Sequence, residues 1–450
     1  MADSSSSSVL VYGLGTSGLA VARRLLADGF EVVAVDDDAG PGPRRAAEEI
    51  GVELIVAPDP GTLASLASCV DEVVVSPGVP ARHPVFALGP ERSVIGEVEL
   101  AWRRARVPVV GVTGTNGKTT ITTLVAAMLE ASGISAVAAG NIGLPLLDAV
   151  EADVSVVVAE VSSFQLALTE TFAPSVGAWC NFTPDHLDWH GTIEAYRAAK
   201  ARVWANAGPG MVAVANMDDP VVLLEAKAAA ARGARLVTFG SVGGFHVDHG
   251  ALVTPAGDVV ARLQDMPRTL PHDVANALCA AAAAMAAGAS LAGCARALAT
   301  FRGLPHRVEL VGEANGVQFY DDSKATTPAA TLAALDGFDS VVLVAGGRNK
   351  GLDLSVLAKA AHRLRAVVAI GEAAPEVAAA FSDSRPVIEA TSMGDAVDTA
   401  VSLALPGDAV VLSPACASFD WYDSYGERGD DFSRRVRDRV EMAPIKEVDR

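Results

Sequence analysis

The sequence has few cysteines and lacks the patterns of secreted and zinc-ribbon proteins. Its 450 residues include 5 cysteines, which are scattered and form no C-x-x-C pair. This usage indicates a reducing cytosol and argues against a disulfide framework or a structural zinc site. The start, MADSSSSS, has neither a basic segment nor an apolar core, so we expect a disordered tail and no signal peptide.

An excess of positive charge is also missing. The chain carries 35 Lys and Arg against 54 Asp and Glu, a formal net charge of -19. Binding to nucleic acid or to an anionic membrane favours clustered cations, so we expect neither as a partner. One apolar stretch, 274–298, is long enough to cross a bilayer, but it is mostly alanine, contains Asn276 and Ser290, and is interrupted by Gly288 and Gly293. It predicts buried helices and no membrane insertion.

Apolar runs typical of strands alternate with alanine-rich helical stretches along almost the whole chain. This alternation predicts an α/β fold with mostly parallel sheets covered by helices. Three glycine-bearing openings from strand to helix begin near residues 13, 111 and 345, which predicts three domains. We place these domains at residues 1–97, 98–303 and 304–450. The first and third are expected to be Rossmann-like, and the central one to be of the P-loop ATPase type.

The first opening reads VLVYGLGTSGLA, residues 9–20, and a second apolar run ends at Asp36. Glycines in G-x-G-x-x-G register allow a tight turn and a close approach of backbone to a phosphate at a helix N-terminus. The acid at the end of the second strand can accept a hydrogen bond from a ribose hydroxyl. Taken alone, this motif predicts an NAD-dependent dehydrogenase.

The second opening, VPVVGVTGTNGKTTITTL, predicts a strand, a loop and a helix that ends near Gly133. Its glycines let the loop point N–H groups inward, Lys118 can neutralise terminal phosphates, and Thr119 can place a hydroxyl on Mg²⁺. The usual phosphate-loop spacing has a glycine where this chain has Val112. A chance G-K-T at an ordinary turn is therefore the alternative.

Glu160 ends an apolar strand, DVSVVVAE, at the point where a Mg²⁺ ligand would stand. A solvated acid at a strand end would look the same in sequence. Lys200 lies in the helical pattern YRAAKARVW and, from the sequence alone, is a surface lysine.

Two histidines, His186 and His190, stand four residues apart and raise the alternative of a zinc site. No Glu follows the first of them as it would in H-E-x-x-H, and Pro184 and Gly191 flank the segment. This segment therefore predicts a loop.

Polar clusters are dense in the last third of the chain, and two of them directly follow apolar strands. Residues that follow the strands of open α/β sheets commonly form ligand-binding sites. The clusters are PHRVE, FYDDSKATTPAA, VVLVAGGRNKGLDL and VVLSPACASFDWYDSYGERG.

Eight motifs together resemble the Mur ligase family in order and spacing, over residues 9 to about 435. They are GTNGKTT, EVSSFQL, NFTPDHLDWH with YRAAK, HDVANA, GLPHRVE, DDSKATTP, GGRNKG and SPACASFD. Within the family the chain is similar to the members that add D-glutamate. The resemblance implies a cytoplasmic, monomeric enzyme of peptidoglycan precursor synthesis. In its reaction MgATP phosphorylates the L-alanine carboxylate of UDP-N-acetylmuramoyl-L-alanine, and the amine of D-glutamate attacks the acyl phosphate.

The resemblance also implies roles for individual residues. Contacts to ATP would come from Gly114, Thr115, Asn116, Gly117, Lys118, Thr119, Thr120, Asn276, Arg307 and Asp322. Contacts to the UDP-sugar would come from Gly15, Thr16, Ser17, Asp36, Gly78, Asn141 and His186. The D-glutamate pocket would contain Lys324, Thr326, Lys350, Ser418, Phe419 and Tyr425. Two Mg²⁺ ions would be held by Thr119, Glu160, His186 and a carbamylated Lys200, and the catalytic set would be Lys118, Glu160, His186 and that lysine.

Three departures from the family pattern are visible. The family's H-N-x-x-N reads HDVAN here, so Asp273, an acceptor only, replaces an amide that donates and accepts. Tyr425 stands where relatives often have Phe. Asp37 and Asp38 follow the strand-end acid where relatives commonly have a hydroxyl and a cation, which weakens the expected contacts to uridine.

Several alternatives stay open at this point. A Mur-type ligase for a different amino acid is one, although a diaminopimelate-adding enzyme should contain D-N-P-R, a motif missing from this sequence. Folylpolyglutamate synthetase lacks a separate N-terminal glycine-loop domain. A dehydrogenase would leave GTNGKTT unexplained, and a catalytically silent nucleotide-binding regulator would not need every phosphate and metal residue. If the ligase hypothesis holds, the opening motif binds the diphosphate of UDP and transfers no hydride.

Overall fold

The computed structural model describes residues 7–38, 40–88 and 93–442, so most of the serine-rich start lies outside the described residues. The chain forms two compact units. The first comprises the residues up to Pro267 together with Ala275–Phe301, and the second comprises Arg268–Val274 and the residues from Arg302 onward.

The N-terminal part of the first unit is a five-stranded parallel sheet. Its strands are β1 (Ser8–Tyr12), β2 (Glu31–Asp36), β3 (Leu54–Val56), β4 (Glu72–Val75) and β5 (Val94–Ile95). They lie in the order β3-β2-β1-β4-β5. The helices are α1 (Thr16–Ala27), α2 (Pro41–Ile50), α3 (Pro60–Ser68), a 3₁₀ helix (Pro84–Leu88) and α4 (Glu97–Arg104).

Strand β1 shows why these segments are nearly continuous apolar runs. Val9 and Val11 pack in one hydrophobic cluster, whereas Leu10 and Tyr12 pack in another. Successive side chains of a strand point to opposite faces, so both faces of this sheet are buried under other elements.

The central part of the first unit is a six-stranded parallel sheet. Its strands are β6 (Val109–Thr113), β7 (Ala136–Gly140), β8 (Val156–Glu160), β9 (Val176–Trp179), β10 (Val212–Asn216) and β11 (Arg235–Phe239). They lie in the order β11-β10-β9-β6-β8-β7. The helices are α5 (Lys118–Ala131), α6 (Leu146–Ala149), α7 (Ser163–Ala167), α8 (Leu187–His190), α9 (Ile193–Ala201), a 3₁₀ helix (Arg202–Trp204) and α10 (Pro220–Ala231).

Strand β6 lies between β8 and β9, both of which follow it in the chain. The chain therefore reverses its direction of travel across the sheet at this strand. In open α/β sheets the crevice for a ligand lies at the carboxyl ends of the strands at this kind of switch point. The residues that follow β6, β8 and β9 are thus placed to form a site.

A small antiparallel sheet and two helices complete the first unit. The sheet contains β12 (His246–Asp248), β13 (Ala251–Val253) and β14 (Val259–Arg262), and a 3₁₀ helix follows (Leu263–Asp265). Helix α11 (Pro271–Ala286) includes residues of both units, and α12 (Leu291–Thr300) lies wholly in the first.

The second unit is built on a six-stranded sheet. Its strands are β15 (Glu309–Ala314), β16 (Val317–Asp321), β17 (Val341–Gly346), β18 (Leu364–Ile370), β19 (Val387–Ala390) and β20 (Ala409–Leu412). The order is β15-β16-β20-β17-β18-β19, with β15 antiparallel to β16 and the other pairs parallel. The helices are α13 (Pro328–Leu335), a 3₁₀ helix (Leu354–Arg363), α14 (Ala374–Phe381), α15 (Met393–Leu403) and α16 (Tyr425–Met442).

These elements confirm the predicted α/β class with mostly parallel sheets. The alanine-rich stretch forms α11 and α12, two helices with largely buried faces, as expected. Among residues 7–38, 40–88 and 93–442, no helix has the length and apolar character needed to cross a bilayer. The predicted boundary at residue 97 falls at the start of α4, and the domain limits themselves stay predictions.

One local expectation was wrong. The segment between Pro184 and Gly191 was expected to be a loop, but residues Leu187–His190 form the single turn α8. His186 is its N-cap and has a left-handed backbone, with φ of 52°, and Gly191 follows at φ of 76°. A residue of positive φ at each end limits the helix to a single turn, which a pattern based on Pro and Gly alone does not reveal.

Candidate active site

The nucleotide loop runs from the end of β6 to the start of α5. Two of its glycines have positive φ, +156° at Gly114 and +84° at Gly117. A Cβ on Gly114 would lie 2.1 Å from Cys180 Sγ, and one on Gly117 would lie 2.3 Å from Asn276 Oδ1. Both positions therefore require glycine. The second distance also shows that Asn276, which the resemblance predicts to contact ATP, lies against this loop.

Val112, which stands where the usual spacing has glycine, belongs to the strand. It is fully buried and pairs with Glu160 across β6 and β8. The strand continues one residue further, to Thr113, and the turn begins at Gly114. The departure from the common spacing therefore reflects where the strand ends, and the strand, loop and helix form as predicted.

Two lysines converge on one backbone carbonyl of the loop. Lys118 Nζ donates to Gly114 O at 3.0 Å and to Thr115 O at 2.9 Å. Lys200 Nζ donates to the same Gly114 O at 2.6 Å and lies 4.8 Å from the centre of the Tyr196 ring. The loop is therefore bordered by two lysine side chains.

Lys200 is not the surface lysine that its helical pattern suggests. It is 2% exposed, on the face of α9 that packs inward. Burial, followed by repulsion from Lys118, holds the pKa of Lys200 well below its usual range. The family resemblance, and not the residue pattern, pointed to its role.

Glu160 ends β8 beside this loop, and its side chain is 2% exposed. Oε1 accepts a hydrogen bond from Asn141 Nδ2 at 2.9 Å. Within the described part of the chain, Oε2 is buried without a hydrogen-bond partner. Burying a carboxylate oxygen without a hydrogen bond costs free energy unless a cation binds to it. Glu160 therefore fits a Mg²⁺ ligand better than a solvated acid.

His186 and His190 lie in an aromatic group and not in a three-ligand metal cluster. The His186 ring lies 4.8 Å from Phe164, and His190 stacks on the same ring while its Nε2 is 3.0 Å from Ser163 Oγ. Among the described side chains, the one group of His, Cys, Asp and Glu whose ligand atoms lie close enough to hold a metal ion is elsewhere, at His306, Glu309 and Asp321. The zinc alternative therefore gains no support.

The opening glycine motif forms one wall of a cavity of about 390 Å³ in the first unit. Its lining includes all five N-terminal residues predicted to contact the UDP part, Gly15, Thr16, Ser17, Asp36 and Gly78. The Asp36 carboxylate accepts hydrogen bonds from the backbone N–H of Leu14 at 2.7 Å and of Asp38 at 2.9 Å. The strand-end acid thus braces the glycine turn itself.

Three adjacent carboxylates line this cavity, because Asp37 and Asp38 follow Asp36. Asp37 accepts from Tyr12 Oη at 2.6 Å and lies 3.3 Å from His83 Nε2. Burial and this carboxylate raise the pKa of Tyr12. The substitution of a hydroxyl and a cation by two acids therefore gives the cavity an acidic edge.

In the second unit, three loops meet at the carboxyl ends of the neighbouring strands β16, β20 and β17. Ala415 N–H donates to Ala325 O at 2.9 Å, and Arg348 and Ala417 exchange backbone hydrogen bonds of 2.9 and 3.0 Å. These links bring together the loops that carry the residues predicted for D-glutamate, which are Lys324, Thr326, Lys350, Ser418 and Phe419.

Tyr425 adds a hydroxyl to this group of loops. Lys324 Nζ donates to Tyr425 Oη at 2.8 Å and lies 4.5 Å from the ring centre. Ser418 is buried, whereas Phe419 is 58% exposed. The replacement of the family's Phe by Tyr therefore gives the lysine a partner that Phe would not provide.

The carboxylates of Asp322 and Asp273 both have partners within the second unit. The Asp322 carboxylate accepts from Ser413 Oγ at 2.7 Å, and burial raises its pKa to about 7. Asp273 lies 3.1 Å from the guanidinium of Arg268. The acid that replaces the family's Asn is therefore held in an ion pair, and Arg307, adjacent to the left-handed His306, lies in the same unit.

Sequence reasoning missed two residues that organise these loops. Asn181 binds the nucleotide loop through its side-chain amide, and Arg428 is 1% exposed and donates to Ser323 O at 2.8 Å and to Cys416 O at 3.1 Å. Asn181 stands two residues after the end of a strand, a signal that could have drawn attention to it. Arg428 lies in a helix with a charged pattern, which gave no signal of burial.

Comparisons with known proteins agree with this arrangement. The family model described as "Mur ligase MurD-like, N-terminal domain" matches residues 7–94, "Mur ligase middle domain" matches 112–284, and "Mur ligase, glutamate ligase domain" matches 306–416.

Full-length relatives and solved structures extend the match. A UDP-N-acetylmuramoylalanine–D-glutamate ligase of Frankia casuarinae is 45% identical over 96% of this chain and 94% of the relative. The ligase of the same name from Pelotomaculum thermopropionicum is 43% identical over 95% and 97%. The fold is shared with the UDP-N-acetylmuramate–alanine ligase of Thermotoga maritima, at a TM-score of 0.59, 19% identity and coverage of 96% and 99%. Since relatives of this identity cover nearly the whole chain, the chain belongs to the Mur ligase family.

Proposed function

We propose that the chain is an ATP-dependent amide ligase that joins D-glutamate to the L-alanine carboxylate of UDP-N-acetylmuramoyl-L-alanine, in peptidoglycan precursor synthesis. The observation that carries this proposal is the convergence of Lys118 and Lys200 on the nucleotide loop, with the buried Glu160 at the end of the adjacent strand. The names of the curated relatives support the choice of D-glutamate as the amino acid.

The difficulty of the first step is electrostatic. A carboxylate oxygen must attack the γ-phosphorus of ATP, which is itself surrounded by negative charge. The new O–P bond forms while the bond to ADP breaks, and ADP leaves. Lys118 at the helix N-terminus is placed to offset this charge, and the glycine turns fix the geometry of the loop.

The second step forms the amide. The D-glutamate amine attacks the carbonyl carbon of the acyl phosphate, phosphate leaves after a tetrahedral intermediate, and the nitrogen loses a proton. D-Glutamate carries two carboxylates, which require cations and hydrogen-bond donors. Lys350, Lys324 and Ser418, on loops joined by backbone hydrogen bonds, are proposed to supply them.

Mg²⁺ is the cofactor we expect, in two ions. Thr119 and Glu160 would hold one ion, and His186 and the carbamate of Lys200 would hold the second. When bound, the ions supply neutralisation of phosphate charge. The buried, unpartnered oxygen of Glu160 supports this assignment among the described residues, and a lysine amine with a lowered pKa is chemically able to react with CO₂.

The UDP part of the substrate is proposed to occupy the cavity at the opening glycine motif, with Thr16 and Ser17 at the N-terminus of α1 near the diphosphate. Asn141, bonded to Glu160, is proposed to contact the muramoyl group. We further propose that the protein works in the cytoplasm as a monomer.

Phosphate release measured with MgATP, UDP-N-acetylmuramoyl-L-alanine and a panel of amino acids tests the proposal. Release that depends on D-glutamate supports it. Release with L-alanine or diaminopimelate instead would overturn the choice of substrate. Binding of NADH without ATP turnover would overturn the ligase class and favour the dehydrogenase, a function that no feature of the central site supports.

A further inference from the structure

Asn181 stands at the point where β9 passes the nucleotide loop. β9 is hydrogen-bonded to β6, and their register pairs Thr113 with Trp179. The residues that follow the two strands therefore run side by side, which places Asn181 opposite the loop that begins at Gly114. The residue is half-buried.

The Asn181 side chain makes three hydrogen bonds to the backbone of the loop. Its Oδ1 accepts from the N–H groups of Thr115 at 3.0 Å and Asn116 at 2.9 Å. Its Nδ2 donates to Asn116 O at 3.0 Å. One primary amide thus satisfies two donors and one acceptor that belong to three successive peptide groups, which fixes the orientation of the loop backbone from Gly114 to Gly117.

Neighbouring residues reinforce this attachment. Cys180 Sγ lies 3.0 Å from Asn116 O, within range for a thiol hydrogen bond. Thr115 Oγ1 donates to Thr183 O at 3.1 Å and accepts from Thr183 N–H at 3.0 Å. The segment from Cys180 to Thr183 therefore holds the first half of the loop along its length.

The second half of the loop has a different environment. Ile121 N–H donates to Gly117 O at 2.9 Å, so Gly117 is the N-cap of α5. The backbone N–H groups of a first helical turn point out of the helix and attract anions. Because Asn181 already binds the N–H groups of Thr115 and Asn116, a phosphate at this loop is directed to the turn that begins at Gly117.

We propose that Asn181 is a positioning residue that holds the first half of the nucleotide loop, so that the phosphates of ATP bind at the α5 turn. It touches neither the substrates nor the reacting atoms in this role. The inference rests on the proposed ligase function, because it assigns ATP to this loop. Its removal should weaken nucleotide binding and leave the binding of the other substrates unchanged.

The test compares Asn181→Ala with Asn206→Ala. Asn206 is a matched control, because its Nδ2 also donates to two backbone carbonyls, Glu170 O at 2.8 Å and Phe172 O at 3.1 Å, in another part of the same unit. For each variant we would measure the dissociation constant of MgADP, the KM values for ATP and D-glutamate, and the affinity for UDP. The UDP affinity reports whether the first unit is folded.

We expect Asn181→Ala to raise the dissociation constant of MgADP and the KM for ATP by about tenfold or more, the scale of losing a few hydrogen bonds. The KM for D-glutamate and the affinity for UDP should stay within about twofold of the wild-type values. Asn206→Ala should leave all four quantities near wild type. Equal nucleotide affinities in a folded Asn181→Ala variant and in the control would overturn the proposal.

A second variant decides the case in which Asn181→Ala does not fold. Asn181→Asp is nearly isosteric and keeps the acceptor, but it places an oxygen against Asn116 O where an N–H stood. It should also weaken nucleotide binding, and wild-type affinity for MgADP in this variant would contradict the inference. Failure of wild-type protein to release phosphate with D-glutamate would instead refute the proposed function, whatever the MgADP affinities are.

Discussion

Replacing Glu97 by Gln should stabilise the protein at alkaline pH far more than at acid pH. Glu97 is 3% exposed at the start of α4, and its Oε1 accepts from Leu147 N–H at 2.8 Å. Within the described chain its Oε2 is buried without a partner. Burial, opposed in part by that hydrogen bond, raises the pKa of Glu97 from 4.5 to about 7.

The sign and size of this pH-dependent change in stability follow from the different proton affinities of the folded and unfolded states. A raised carboxyl pKa means that the folded state binds the proton more tightly than the unfolded state, so stability falls as the pH rises from about 4.5 to about 7. At about 1.4 kcal/mol per pKa unit the full cost is about 3 kcal/mol, of which about 2.5 kcal/mol appears between pH 5 and pH 8. Gln cannot ionise, so the variant should be spared this cost.

Urea unfolding followed by tryptophan fluorescence at pH 5 and pH 8 measures the effect. Trp102 lies on the same helix as Glu97, so the signal reports on the relevant unit. Any fixed cost of burying the Gln amide is the same at both pH values and cancels in the comparison. The free energy of unfolding of Glu97→Gln relative to wild type should therefore rise by about 2.5 kcal/mol between the two conditions.

Glu99 provides a control on the same helix. It is fully buried, but bonds from Thr171, the N–H of Glu170 and Arg103 outweigh the effect of burial and lower its pKa. The stabilisation from a lowered pKa is already present above about pH 4.5, so Glu99→Gln should destabilise the protein by similar amounts at pH 5 and pH 8. If Glu97→Gln shows the same lack of pH dependence, the argument from burial is refuted.

Three further predictions concern the candidate site. Lys350→Ala should raise the KM for D-glutamate by about tenfold or more, as expected for loss of a charge-assisted bond of about 1.5 to 3 kcal/mol, and an unchanged KM would remove this lysine from the pocket. Gly114→Ala should raise the KM for ATP by about tenfold or more, because its Cβ would lie 2.1 Å from Cys180 Sγ. Gly208→Ala is the control: nothing lies within 4 Å of its Cβ, so its KM for ATP should equal that of the wild type. Similar KM values for the Gly114→Ala and Gly208→Ala variants would contradict the steric argument. Asp38→Arg should lower the KM for the UDP substrate by about fivefold at low salt, with the gain shrinking as salt screens the charge, and a gain independent of salt would exclude this cause.

The parts of the site that the sequence predicts are those that follow directly from the strands. Glu160 and the loop at Gly114 both stand at the carboxyl ends of apolar strands, and parallel strands bring those ends to one edge. The class of fold, the glycine turns and the N-terminal cavity were predictable for the same reason. Local sequence patterns are sufficient to predict a site residue when it lies at the end of a regular strand.

The roles proposed for Asn181 and Lys200 could not be predicted in this way. The contact of Asn181 with Asn116 spans 65 residues and depends on β9 lying next to β6, an order that the chain does not reveal. Lys200 lies in a helical pattern whose inward face is decided by packing against the central sheet. A pattern that fixes the helix does not fix which of its polar residues is buried, so only the family resemblance identified it.

The role proposed for Lys200 would also account for how an acidic chain holds a polyanionic nucleotide. The net charge of -19 would repel ATP at long range, so the attraction must be local. Two lysine amines meet at one carbonyl, Gly114 O, where Lys118 can provide it, but burial and repulsion from Lys118 disfavour the charged form of Lys200. A neutral amine is the form that reacts with CO₂, and a carbamate on Lys200 would turn its repulsion with Lys118 into attraction. The burial of Lys200 beside Lys118 therefore favours the modification that the proposed metal site requires.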